Sequence, residues 1–146
     1  MRVLIVEDNV FNAYCLRRLL ESMMTFIAVT IVNNSQAALS HVNTHFPELL
    51  IIDGDLNAAG SEIYCNGPEL TAAVLSRYPN LPVIAWTDSE AMRHEFATIF
   101  KLYSKTVNHF SVWNKLVSAE HILKSITYLT PIVPLQHPYV HSMNYS

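Results

Sequence analysis

Short apolar runs alternate along this chain with stretches whose apolar residues recur at helical spacing, and this alternation restricts the fold more than any other feature. RVLIV at 2–6 is ended by two acids. From Asn9 to Met24, apolar residues fall at Val10, Ala13, Tyr14, Leu16, Leu19, Leu20 and Met23, which predicts a helix. FIAVTIV at 26–32 is β-branched and predicts a second strand. A helix is expected from Ser35, as N-cap, to His45, then a buried strand over 49–52. Pro68 opens a helix to Tyr78, as proline is tolerated in a first turn. A strand over 82–86, a short helix over 89–97, a fifth strand over 100–104 and a last helix over 111–128 complete the pattern.

Alternation of this kind builds a parallel sheet covered by helices on both faces. LLII and VLIV have no polar side, as expected of strands in the middle of such a sheet. The 146 residues suit one domain, with 51% hydrophobic content for a core and only 14% charged residues. A net charge of −3 gives no electrostatic case for nucleic acid. No apolar run reaches the roughly 20 residues that span a bilayer. The start, MRVLIVED, meets two acids too early for a secretory signal, so the cytoplasm is the expected compartment. Cys15 and Cys65 stand apart without zinc or redox spacing, and the HPYVH segment of the tail is a poor ligand cage.

Right-handed crossovers bring the C-terminal ends of all strands to one edge, where open sheets of this class bind ligands. The residues expected there are Glu7 and Asp8, Asp53, Thr87 and Lys105. Three neighbouring carboxylates repel unless a cation binds or one takes a proton, and hard oxygen ligands suit Mg²⁺. A hydroxyl and an ammonium opposite that cation would cradle a phosphoryl group, with Asp53 as the carboxylate nucleophile. Each of these residues alone reads as a cap, a turn or a surface charge; together they form a pattern.

VLIVEDN, PELLIIDGDL, LPVIAWT and the later SK resemble the response-regulator receiver family over nearly all of Met1 to Tyr128. The resemblance implies a flavodoxin-like doubly wound five-stranded parallel sheet, strand order 2-1-3-4-5, with helices on both faces. Residues 1–128 would be the receiver domain and 129–146 an extended or disordered tail. It also implies that Asp8 binds Mg²⁺ directly and Glu7 through water, with the Asp55 carbonyl as a further ligand. Asp53 would be the phosphoacceptor, Thr87 the switch hydroxyl and Lys105 the phosphate-binding lysine. The implied donor is a histidine kinase or phosphotransfer protein, and the output a downstream protein target. Such a chain is a switch that accepts and loses a phosphoryl group, not a conventional enzyme. Homodimerisation stays open.

Several positions depart from the family pattern. Asn57 replaces a proline, and the loop over 57–67 is longer than usual. Asp88 follows the threonine where a small residue is usual, and is expected to slow phosphorylation or narrow the donors by its charge. Leu102 occupies the aromatic switch position, with Tyr103 displaced by one, and Thr106 replaces the proline after the lysine. Two alternatives remain. One is a degenerate receiver that binds a partner without phosphorylation. The other is a haloacid-dehalogenase-like phosphatase, suggested by Asp53-Gly54-Asp55, although in those enzymes the acidic pair comes last.

Overall fold

The computed structural model describes residues 1–56 and 66–130. Five strands and five helices alternate: β1 (Arg2–Val6), α1 (Val10–Met23), β2 (Ala28–Val32), α2 (Ser35–His45), β3 (Leu49–Asp53), α3 (Gly67–Arg77), β4 (Val83–Trp86), α4 (Glu90–Leu102), β5 (Val112–Trp113) and α5 (Ala119–Leu129). The strands form one parallel sheet in the order β2-β1-β3-β4-β5. The expected flavodoxin-like architecture is therefore present.

Alternate residues of the central strands feed two separate cores. Leu4, Val6, Leu50, Ile52, Val83 and Ala85 pack with Ala38 and Val42 of α2, Leu70 and Val74 of α3, and Phe96 and Phe100 of α4. Val3, Ile5, Leu49, Ile51, Ile84 and Trp86 face the other way, onto Leu16 and Leu20 of α1 and Ile122 and Ile126 of α5. This explains why the central strands carry no polar face. Each helix begins on a side chain that accepts an N–H of its first turn: Asn9, Asn34, Asn66, Ser89 and Ser118. The second cap is thus Asn34 rather than Ser35.

The segment after β4 differs from expectation. Phe100–Ser104 is not a strand, because α4 runs on to Leu102. Met92, Phe96, Ile99 and Phe100 recur at helical spacing and pack on one core, and that stripe outweighs the short β-like run at its end. Ser104, with φ 58°, turns the chain in the left-handed region. The edge strand β5 comes later and is only two residues long, pairing Val112 with Ala85 and Trp113 with Trp86. The last helix correspondingly starts at Ala119 rather than Ser111.

Candidate functional site

The C-terminal ends of β1, β3, β4 and β5 converge as the parallel topology requires. Asp53 ends β3 and is 7% exposed, and Glu7 follows β1 at 2%. Carboxylate oxygens of Glu7, Asp8 and Asp53 all lie within 4.8 Å of one another. Asp55 is exposed, and its carboxylate is not part of this group. Thr87, buried at the end of β4, is anchored by its N–H donating to the Trp113 carbonyl at 2.9 Å. Its Oγ1 accepts the Ser89 N–H at 3.0 Å, and among the described residues its hydroxyl proton has no acceptor.

The lysine at this edge is Lys115, not Lys105. Lys115 Nζ lies 2.9 Å from Asp53 Oδ1 and donates to Glu7 Oε1 as well. It also sits over the Trp86 ring, 4.0 Å from the centroid. Lys105 Nζ instead donates to the carbonyl of Leu81 at 2.8 Å. Leu81 precedes β4, so Lys105 stands at the opposite edge of the sheet from Asp53. Partial burial there holds its ammonium below the usual lysine range. The cause is the misplaced fifth strand: any lysine read from 100–105 was bound to miss the site. A usable signal was Val112-Trp113, a β-branched and aromatic pair followed closely by Lys115.

Leu102 and Tyr103 close α4 and are not on a strand, so neither holds the expected aromatic position; Leu102 is 70% exposed. Three residues before Lys115 stands Val112, and Leu116 follows it. Asn57 and most of the long loop, 57–65, lie outside the described residues, as does the tail from 131 onward. Asp88 is exposed, and its Oδ1 accepts the backbone N–H of Lys115 at 2.9 Å.

The site is short of positive charge. Burial is the main cause that pushes the Glu7 carboxyl up to about 7, and the Asp53 charge adds to it. Hydrogen bonds from Lys115 and from the Asn9 N–H, with the Lys115 charge, oppose that rise without cancelling it. Three clustered carboxylates with one ammonium among them therefore fit a hard divalent cation.

A family profile described as the response regulator receiver domain matches residues 3–110. The chain belongs to the response-regulator receiver family. Receivers of this family are generally signalling switches rather than conventional enzymes. The matched stretch holds Glu7, Asp8, Asp53 and Thr87 but stops before β5, so the assignment of Lys115 rests on geometry. No curated protein matches the chain. Among solved structures it is similar to the signal receiver domain of a modulated diguanylate cyclase from Desulfovibrio desulfuricans G20, at 28% identity and TM-score 0.69, covering 88% of this chain and 91% of that one. It is also similar to the receiver domain of NtrX from Brucella abortus, at 17% identity and TM-score 0.71, covering 90% and 99%. A signal receiver domain of an HD domain-containing protein from Pseudomonas fluorescens Pf-5 matches at 16% identity and TM-score 0.70, covering 88% and 92%. The last two likenesses concern the fold alone. No helix among the described residues is long and apolar enough to cross a membrane.

Proposed function

We propose that this receiver is phosphorylated on Asp53 and signals through protein contacts. The observation that carries the reading is the convergence of Asp8, Asp53, Thr87 and Lys115 from four strand ends, with Lys115 Nζ 2.9 Å from the Asp53 carboxylate. A carboxylate oxygen of Asp53 attacks phosphorus of a phosphohistidine donor; the O–P bond forms, the P–N bond breaks with its electron pair going to nitrogen, and the ring, protonated on its other nitrogen, leaves as neutral imidazole. Asp8, Asp53 and the Asp55 carbonyl would hold Mg²⁺ directly, and Glu7 through water. When bound, that cation supplies charge neutralisation for the phosphoryl oxygens. Lys115 moves its ammonium from the free carboxylate to a phosphoryl oxygen, and the Thr87 hydroxyl donates to another.

The expected consequence is a population shift. A phosphoryl group that draws Thr87 inward favours one arrangement of the loop between β4 and α4, and a partner that prefers that arrangement binds more tightly. The donor is a histidine kinase or phosphotransfer protein, and the setting is cytoplasmic. With Val112 rather than an aromatic residue three positions before Lys115, threonine–aromatic coupling has no ring to act through. A small phosphodonor with Mg²⁺, followed by intact-mass measurement, tests the reading. Wild type should gain one phosphoryl group and Asp53→Asn none. Equal labelling of both proteins, or many turnovers of external phosphate esters, would refute it, and a wild type that takes no label is a degenerate receiver.

A further inference from the structure

We propose that Asp88 is a positioning residue for Lys115: with Arg93 it clamps the loop after β4 to the loop after β5 and so fixes the ammonium beside Asp53. The part concerning phosphoryl transfer rests on the function proposed above; the clamp itself does not.

The two loops are tied by side chains from one turn. Asp88 Oδ1 accepts the Lys115 backbone N–H at 2.9 Å. Arg93, one turn into α4, donates from Nη2 both to the Thr87 carbonyl, at 3.2 Å, and to the Asn114 side-chain oxygen. The return contacts come from β4: Trp86 Nε1 donates to the Lys115 carbonyl at 3.3 Å, and the Trp86 ring lies beneath the Lys115 ammonium. Lys115 is thus held at its N–H by Asp88, and at its carbonyl and side chain by Trp86. β5 supplies little restraint of its own, because only two residues pair with β4. A lysine just past so short a strand needs support from elsewhere, and Asp88 and Arg93 provide it.

This gives Asp88 a role other than the repulsion expected from its charge. A carboxylate oxygen committed to the Lys115 N–H serves as a hydrogen-bond acceptor, and an amide oxygen can do the same. The clamp also passes displacement between loops: Arg93 holds the Thr87 carbonyl and Asn114 with the same nitrogen, so inward movement of Thr87 carries the loop bearing Lys115 with it.

Asp88→Asn, Asp88→Ala and Arg93→Met separate the possibilities. In the unphosphorylated protein, amide exchange at Lys115 should be slow in wild type and Asp88→Asn, and about tenfold faster or more in Asp88→Ala, since capping bonds of this kind are worth roughly one factor of ten. Phosphorylation by a small donor should fall about fivefold in Asp88→Ala and in Arg93→Met, and stay within about twofold of wild type in Asp88→Asn. If Asp88→Ala does not fold, Arg93→Met carries the same test from the opposite side of the clamp. Fast Lys115 exchange in wild type overturns the proposal. So does faster phosphorylation in both Asp88 variants, which would mean that charge repulsion governs. If exchange behaves as expected but wild type takes no phosphoryl group, the clamp stands and the phosphoryl-transfer reading fails.

Discussion

Lys115 Nζ sits 2.9 Å from Asp53 Oδ1, at the end of a two-residue edge strand whose register with β4 fixes where that lysine falls. Lys105 lies at the other edge of the sheet on the Leu81 carbonyl. The two lysines should therefore respond oppositely to removal. Lys115→Met should lower phosphoryl uptake from a small donor by about tenfold or more, as expected when a preplaced cation is lost from a developing dianion. Lys105→Met should leave uptake within about twofold. Uptake rates of the two variants, measured side by side, decide between them.

The Glu7 carboxyl, raised by burial from its ordinary value of 4.5 to about 7, gives a stability signature in the metal-free protein. Below the unfolded value both states are protonated and burial costs nothing extra. As pH rises toward the folded value, the unfolded chain ionises first, so folding stability contributed by this group is lost and is fully gone above about 7. Urea unfolding in the presence of a chelator, compared between wild type and Glu7→Gln, isolates the effect. The difference should move against wild type between those two values, and added Mg²⁺ should reduce it.

Gly67 begins α3 directly against the end of β3. A Cβ there would lie 2.2 Å from the Asp53 carbonyl oxygen and 2.7 Å from the Phe96 ring, while the Gly67 N–H donates to the Gly54 carbonyl at 2.8 Å. The nearest clash is with backbone, and relief by shifting the Asp53 backbone would move its carboxylate. Gly67→Ala should cost about 1–3 kcal/mol or more in chemical denaturation.

The extent of α4 is testable by contrast. Phe96 and Phe100 are buried, with ring centroids 6.1 Å apart, whereas Leu102 faces solvent. Phe100→Ala should destabilise by about 3–5 kcal/mol. Leu102→Ser should stay within about 0.5 kcal/mol. A buried fifth strand over 100–104 would make Leu102→Ser costly instead.

The sheet and the acidic end of the site were legible because strong local patterns encode them. VLIV and LLII have no polar face, so their place in the centre of a covered sheet followed directly. Parallel topology then carried Glu7, Asp8 and Asp53 to one edge. The lysine was not legible for a physical reason: β5 is two residues long, and its only sequence mark is Val112-Trp113. The longer stretch at Phe100–Tyr103, broken only by Lys101, looks more like a strand, yet belongs to a helix because Phe96 and Phe100 share one face. Asp88 could be seen as unusual from sequence, but its hydrogen bond to Lys115 joins distant segments and emerges only from the folded chain.

In the proposed function one particular carboxylate carries the phosphoryl group. Borohydride reduction of the phosphodonor-treated protein turns an aspartyl phosphate into homoserine, and peptide sequencing by mass spectrometry then locates it. Homoserine is expected at position 53, dependent on Mg²⁺. Homoserine at another aspartate, or none in a protein shown to carry a phosphoryl group, would contradict it.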